Sequence, residues 1–246
     1  MNHYDPEDYA SLPANLADQA RAFQTAAAEI ECGSGSGASA DTSSRSQAGD
    51  VEAWARRTGA LIPEAEIDAL PLVSNSTSEH EVHFRQSDSR AVKRTWAGFY
   101  GQVPVSRHGK LDRANASPVE YLRRMALQIA VFEGDLKLEG ASISDKPSMI
   151  IGQPAGEPSF VISQPWYQRN ERATTEEIAE LLKESGFVEV PGSYFGWYRP
   201  ADGVVIVDAK PDNFIKTVAG IVPIDLQMAH FTTEQLASAG LSHTTT

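Results

Sequence analysis

The segment Val204–Gln227 constrains the fold of this chain more than any other stretch of its sequence. It begins with four apolar β-branched residues, Val204–Val207, and such a run directly after an Asp-Gly turn predicts a buried strand. Two more short apolar runs, Phe214–Ile215 and Ile221–Ile224, predict strands on either side of a turn at residues 216–220. The segment therefore predicts one strand, a charged loop, and two further strands joined by a turn.

Four polar side chains lie at the ends of these predicted strands. Asp208, Lys210 and Asn213 occupy the loop after the first strand, and Asp225 follows the last one. Core packing explains them poorly, because carboxylates, amines and amides are costly to bury without partners. One interpretation is a plain polar turn, since Pro-Asp-Asn is a favourable turn sequence. The other interpretation is a functional loop.

The spacing D-x-K-x-x-N of this loop resembles the catalytic loop of protein kinases. Asp225 lies twelve residues after Asn213, where enzymes of that superfamily have a second metal-binding aspartate. The resemblance implies that Asp208 orients or deprotonates the acceptor hydroxyl and that Lys210 offsets charge on the transferred phosphoryl group. It also implies that Asn213 and Asp225 bind Mg²⁺, a cation that prefers oxygen ligands.

Three predicted strands upstream carry a second part of the resemblance: Leu72–Val73, Glu81–Phe84 and Arg90–Thr95. The last strand contains Ala-Val-Lys, which is similar to the strand-borne lysine motif of kinases and implies that Lys93 binds nucleotide phosphates. Without that context, a lysine on an alternating strand indicates a solvated face of a sheet.

A capped helix is predicted to begin at Ser117, with Pro118 in its first position and Glu120 in its third. In the kinase arrangement a glutamate on this helix pairs with the strand lysine. The resemblance makes Glu120 the first candidate partner of Lys93 and Glu133 the second. A capping-box interaction with Ser117 is the alternative explanation of Glu120.

The segment Ser163–Tyr167 lies between a predicted strand and a second capped helix that begins at Thr174. Kinases have their inter-lobe hinge at this point in chain order, and the hinge meets the adenine edge of the nucleotide. The resemblance therefore implies that Gln164 and Trp166 contribute to nucleotide binding.

From about residue 80 to residue 230, the order of the motifs resembles the protein-kinase-like superfamily. Within that superfamily, the chain most resembles the kinase-like domain of bacterial and phage polyvalent proteins. The fold that this implies is α+β: a minimal two-lobed protein-kinase-like fold with an antiparallel N-lobe sheet, about 60–163, and a truncated C-lobe, about 168–246. The implied cofactors are ATP and Mg²⁺, and the implied partner is an unidentified phosphoacceptor, either a protein or a small molecule.

A nucleotide-binding pseudokinase that acts as a regulatory or effector module is the alternative function. The turn at residues 74–78 contains no glycine, whereas a phosphate-covering loop needs close backbone approach. Only 21 residues follow Asp225, which is too few for the usual activation segment and peptide-docking helices.

The N-terminal part of the chain has a different character from the rest. Residues 1–32 are predicted to form a helical extension, because apolar residues recur at helical spacing from Leu16 to Ile30. The stretch Gly33–Gly49 is rich in Gly and Ser and predicts a flexible linker, which leaves residues 50–246 as the kinase-like domain.

Composition narrows the function classes further. A net charge of -12 argues against a general nucleic-acid or anionic-membrane binder. Cys32 is the single cysteine, so no internal disulfide can form. No apolar run approaches the ~18 residues of a membrane span, and no signal peptide is visible. These features predict a cytoplasmic location.

Overall fold

The computed structural model describes residues 9–33, 40–74, 79–144, 156–168 and 171–242, with the backbone alone for residues 40–48. Within these ranges the chain forms six α-helices and thirteen β-strands, and the strands pair antiparallel in four sheets. This confirms the mixed α+β class predicted from the sequence. The helices are α1 (Ala14–Gly33), α2 (Ala40–Thr58), α3 (Glu64–Asp68), α4 (Pro118–Phe132), α5 (Thr175–Glu184) and α6 (Thr233–Ser238), with a 3-10 turn at Pro211–Asn213. The strands are β1 (Leu72–Ser74), β2 (His80–Arg85), β3 (Arg90–Thr95), β4 (Gln102–Arg107), β5 (Lys110–Asn115), β6 (Lys137–Ile143), β7 (Pro158–Pro165), β8 (Val188–Glu189), β9 (Trp197–Arg199), β10 (Val204–Val207), β11 (Phe214–Thr217), β12 (Gly220–Pro223) and β13 (Gln227–His230).

A five-stranded sheet has the strand order β1-β2-β3-β7-β6. The three antiparallel strands predicted from residue 72 to residue 95 are its first three members. Strand β3 lies in the middle, and all of its residues are buried. Lys93 is paired with Val82 on one side and Ile162 on the other, so its position is fixed by two neighbouring strands.

One hydrophobic core joins the N-terminal helices to α4 and to this sheet. Phe23 of α1 and Trp54 of α2 are buried in the same cluster as Tyr121 of α4. Tyr121 stacks on Phe160 of β7, with ring centroids 5.6 Å apart. The apolar stripe of α1 is thus covered by the rest of the core. This packing stabilises the helix, because an amphipathic helix needs a partner surface for its apolar face. Helix α1 is therefore part of the main core rather than a separate extension.

The Gly/Ser-rich stretch 33–49 differs from its prediction. Helix α2 begins at Ala40, so residues 40–49 have helical backbone instead of forming a linker. Residues 34–39 lie outside the described part of the chain. The second half of α2 supplies Val51 and Ala55, which are fully buried, and this packing favours helix in the polar residues that precede them.

Strand β10 is the buried strand predicted over Val204–Val207, and it lies between β9 and β13 in a four-stranded sheet. Its register pairs Val204 with His230 and Ile206 with Met228. The strand ends directly before Asp208. Strands β11 and β12 form the predicted hairpin of two strands around a turn, and Asp225 follows it.

A second hairpin, β4–β5, lies between β3 and α4 and was not predicted from the sequence. Its turn has two residues, His108 and Gly109, and both have positive φ (53° and 74°). Such a turn matches the twist of the paired strands. The signal for it was the alternation of Val103 and Val105 before this turn.

The helices described here include none that is both long and apolar enough to cross a membrane.

Candidate functional site

A cleft of about 760 Å³ lies between the five-stranded sheet and the loops that follow β10 and β12. Its volume falls in the range of small-molecule sites, about 300–1,000 Å³. Six of the eight side chains that the sequence singles out line the cleft: Lys93, Gln164, Trp166, Lys210, Asn213 and Asp225. The other two, Asp208 and Glu120, lie outside its lining.

Lys93 and Asp225 converge at the floor of this cleft. Lys93 is buried, and its Nζ donates a hydrogen bond of 2.7 Å to the carbonyl oxygen of Ile224, the residue directly before Asp225. Burial lowers the pKa of Lys93, while the charges of Asp225 and Glu79 act in the opposite direction. The ammonium group therefore lies at a position where an additional anion, such as a phosphate, would be stabilised.

Lys93→Met is expected to change the alkaline stability of the protein. Because the folded-state pKa of Lys93 lies below 10.5, the unfolded chain holds this proton more tightly. The free energy of unfolding of the wild type should therefore rise relative to that of the variant as the pH increases from the folded-state pKa of Lys93 towards 10.5. Below this pH window, the difference in unfolding free energy between the two proteins should be constant. Denaturant titrations of both proteins across the window measure this, and a pH-independent difference would contradict it.

Asp225 is held in its ionised form. Burial opposes the charge, but the nearby positive charge of His80, together with those of Lys93 and Arg124, keeps the pKa of Asp225 well below its ordinary range. The distance from its Oδ1 to Nδ1 of His80 is 3.6 Å, and about a fifth of the side chain is exposed, 20%. Asp225 therefore presents a carboxylate oxygen at the cleft at neutral pH.

The loop after β10 arranges its polar groups around Asp208. The Oδ2 atom of Asp208 accepts hydrogen bonds from Lys210 Nζ (2.9 Å) and from Asn213 Nδ2 (3.1 Å). Asn213 Nδ2 also donates to the backbone oxygen of Asp208 at 2.6 Å. Because the amide of Asn213 uses its nitrogen in this way, its Oδ1 is the atom that it offers to a ligand in the cleft.

Asp208 itself has a strained backbone, with φ of 61°. Aspartate tolerates this left-handed conformation better than most residues do. The conformation still costs free energy, and it persists only where the surrounding structure enforces it, as is frequent at functional sites. Its side chain is 6% exposed. Its Oδ1 atom is buried and accepts no hydrogen bond within the described residues.

The hinge-like segment forms one wall of the cleft. Gln164 lies in β7 opposite Ala91 and is buried, whereas Trp166 is 39% exposed. The indole of Trp166 packs edge-on against Phe84, with centroids 5.1 Å apart. The backbone N–H of Trp166 donates to Ser89 in the β2–β3 turn, so this residue offers a ligand its ring rather than its backbone donor.

Glu120 does not pair with Lys93, which corrects the expectation from the sequence. Its carboxylate accepts the backbone N–H of Ser117 at 2.7 Å, and the Ser117 hydroxyl accepts the backbone N–H of Glu120, so the capping box is complete. Glu120 lines a different cavity, next to α6. Glu133, the second candidate, is the left-handed C-cap of α4. The capping interaction holds Glu120 at the end of the helix, away from the sheet.

A second acid whose charge acts on Lys93, besides Asp225, is Glu79, which sequence reasoning missed. Glu79 precedes β2 and is bound by Arg124 of α4 through two hydrogen bonds of 3.0 and 2.5 Å. The side chain of Arg124 is completely buried. Gly101 has a φ of 74°, and a Cβ atom there would lie 2.2 Å from the Glu79 carboxyl carbon, so any other residue would be strained and would displace the Glu79 carboxylate. The available signal was an arginine one turn after Tyr121 on the apolar face of the predicted helix.

Buried polar contacts link this ion pair to the cleft. His80 Nε2 lies 2.9 Å from the hydroxyl of Tyr121, which is itself next to Arg124. Ligand atoms of Glu79, His80 and Asp225 lie within 4.8 Å of one another. The Glu79 carboxylate is already used by Arg124 and by the N–H of Gln102, so Asp225 is the group in this triad best placed to bind a cation.

The groups that line the cleft have the chemistry to hold an anionic ligand together with a divalent cation. Asp225 and Asn213 provide oxygen atoms, which are the ligands that Mg²⁺ prefers. Lys93 and Lys210 provide positive charge for phosphates, and Trp166 provides an apolar ring.

Comparison of the chain with protein-family models, with curated proteins and with solved structures found no match.

Proposed function

We propose that this chain is a minimal ATP-dependent phosphotransferase with a two-lobed, protein-kinase-like arrangement. The observation that carries the proposal is the convergence of Lys93 and Asp225, from two distant parts of the chain, on one cleft that Lys210 and Asn213 also line. A plain polar turn would not require an upstream lysine to be buried beside it. Burying a charged lysine costs free energy, and a bound phosphate would offset this cost by pairing with the ammonium group.

The order of elements supports the same arrangement. An antiparallel sheet with Lys93 on its third strand is followed by α4, by two more strands of that sheet, and by the segment that contains Trp166. The loop Asp208–Asn213 and the hairpin β11–β12 then lead to Asp225. This is the sequence of parts that phosphoryl transfer by a kinase uses.

Four residues that line the cleft, together with Asp208 beside it, have defined roles in this proposal. Lys93 binds the phosphates of ATP, and Asn213 and Asp225 hold Mg²⁺, which neutralises phosphate charge when bound. Asp208 orients the acceptor hydroxyl and takes its proton. Lys210 donates to Asp208 Oδ2, and its role in the proposal is to stabilise the charge of the phosphoryl group in transfer.

Asp225→Ala is expected to abolish the Mg²⁺ dependence of ATP binding. In wild type, ATP with Mg²⁺ at a hundred times its Kd should stabilise the fold by about 2.7 kcal/mol, and the melting temperature should rise by about 2–4 °C per kcal/mol. Thermal shift with ATP, with and without Mg²⁺, measures both proteins. Asp18→Ala removes an exposed carboxylate and serves as the matched control. Unchanged Mg²⁺ dependence in Asp225→Ala would refute the metal role of this residue.

The same assay tests the function as a whole. Absence of any thermal shift in wild type at millimolar ATP would contradict nucleotide binding, and with it the phosphotransferase. Transfer of ³²P from ATP to the protein itself, casein or histone is the second readout.

A nucleotide-binding regulatory module is the second candidate function. It is favoured by one observation, the burial of Asp208 Oδ1, which in this conformation does not reach the cleft. Binding of ATP without transfer to any acceptor would support this candidate over the enzyme.

A further inference from the structure

The side chain of Arg113 lies against the atom of Asp208 that the loop does not use. Arg113 belongs to the hairpin β4–β5, and its Nη1 is 3.7 Å from Asp208 Oδ1. Its guanidinium group lies over the ring of Tyr194, 5.0 Å from the centroid, and makes no hydrogen bond within the described residues. Arg113 thus approaches Asp208 without a hydrogen bond and retains all five of its donors.

Among the described residues, Asp208 Oδ1 is a hydrogen-bond acceptor without a donor, next to the unused donors of Arg113. A buried carboxylate oxygen nearly always accepts a hydrogen bond, yet this one accepts none within the described part of the chain. Lys210 and Asn213 both bond to Oδ2, so Oδ1 points to a different neighbourhood. Because Oδ1 has almost no accessible surface, a hydroxyl can reach it only after a neighbouring group moves, and the Arg113 guanidinium, 3.7 Å away, is one such group.

Arg113 is well placed to move towards an incoming molecule. Its side chain is 40% exposed, and the neighbouring rings of Tyr194 and Phe195 are exposed by 54% and 36%. The pair of Arg113 with Asp208 is longer than a charge-assisted hydrogen bond, about 2.7–2.9 Å. A carboxylate that arrives beside Arg113 can form the two parallel hydrogen bonds that Asp208 does not form.

We propose that Arg113 selects the acceptor: it favours a serine or threonine hydroxyl in an acidic peptide. The inference rests on the proposed phosphotransferase function. A carboxylate next to the acceptor residue binds the guanidinium group and draws it away from Asp208, which uncovers Oδ1. The acceptor hydroxyl then gives its proton to Oδ1. Its oxygen forms the new bond to the γ-phosphorus of ATP while the bond from that phosphorus to the β–γ bridging oxygen breaks, so ADP leaves.

The test measures initial rates of ³²P transfer from ATP with Mg²⁺ to three synthetic peptides. They share a central serine and differ only in flanking Glu, Ala or Lys residues. Wild type should favour the Glu peptide over the Ala peptide by about tenfold or more, since a hydrogen bond to a charged group contributes about that much discrimination. Arg113→Gln should reduce the preference to about twofold through a higher KM for the Glu peptide, with KM for ATP unchanged. Arg113→Lys, which keeps the charge, should retain part of it.

Arg107→Ala is the matched control, because Arg107 lies on the same hairpin, is exposed, and pairs with Asp112 instead of Asp208. This variant should keep the wild-type peptide preference. Equal rates for the Glu and Ala peptides in wild type, or an unchanged preference in Arg113→Gln, would overturn the role of Arg113 while leaving the phosphotransferase intact. No transfer to any peptide, with ATP binding retained, would overturn the phosphotransferase and this inference with it.

Discussion

Asp208→Asn is expected to lower the rate of phosphoryl transfer by about 10²–10⁴-fold, the usual contribution of a positioned proton acceptor. The amide cannot take the proton of the acceptor hydroxyl, although it has nearly the same shape as the carboxylate. Its oxygen can still accept the hydrogen bonds from Lys210 and Asn213 that Asp208 Oδ2 now receives. Asparagine also tolerates the φ of 61° at this position, so the loop should keep its conformation.

A measurement of ATP binding distinguishes a loss of catalysis in this variant from a loss of folded protein. The thermal shift with ATP and Mg²⁺ should be the same in Asp208→Asn as in wild type, because Asp208 does not line the cleft. Asp18→Asn makes the same chemical change at an exposed site of α1 and should transfer at the wild-type rate. A transfer rate in Asp208→Asn within about threefold of wild type, well outside the range for a proton acceptor, would remove Asp208 from the mechanism.

The parts of the site that were predictable are those that depend on local sequence. The strand Val204–Val207 and the loop from Asp208 to Asn213 form one continuous segment, and short-range patterns are sufficient to place its polar groups together. Lys93 was predictable as a strand residue. Its approach to Asp225 depends on strand pairing and on the contact with Ile224, which no local pattern records.

The parts that were missed depend on which face of an element meets which neighbour. Glu120 and Arg124 lie one turn apart on α4. A prediction that is wrong by one helical turn therefore places a carboxylate at the sheet where the structure has a guanidinium group. The helix start at Ser117 fixes Glu120 as the cap, but the partner of Arg124 precedes β2, far away in sequence. The hairpin β4–β5 was missed because Pro104 lies within its first strand, and a proline inside an apolar run weakens the prediction of a strand. Its contribution to the site, Arg113, was therefore invisible from the sequence.

The ion pair of Glu79 with Arg124 connects the fold to the cleft. Arg124 contributes to the low pKa of Asp225, and Glu79 counteracts the low pKa of Lys93. The four charges thus share one environment: each acid and base stabilise the ionised form of the other, whereas the charge of Arg124 disfavours the protonated form of Lys93. Loss of one member should therefore affect both the stability of the fold and the charge state of the cleft.

Glu79→Gln is accordingly expected to destabilise the fold by about 3–5 kcal/mol, the usual cost of leaving a buried charge without its partner. Arg124 would keep its charge in a site where its side chain has no exposure, and it would lose the carboxylate that pairs with it directly. The carbonyl of Gln102, the ring of Tyr121 and the charge of Asp225 would remain. Urea titration monitored by tryptophan fluorescence measures the change. A loss below about 1 kcal/mol, the value for surface pairs, would show that water or another group replaces Glu79.

The double variant Glu79→Gln/Arg124→Met separates the interaction energy of the pair from the effect of replacing each residue alone. Replacing both charges by neutral groups of similar size should recover about 1–3 kcal/mol relative to Glu79→Gln alone, because no unpaired charge remains. The exposed pair of Glu52 and Arg56 on α2 is the matched control, and its double-mutant cycle should give a coupling of about 0.5 kcal/mol or less. If the buried pair couples no more strongly than this exposed one, then the fixed position of α4 comes from the apolar contacts of its buried face, and Glu79 has no part in setting the charge of the cleft.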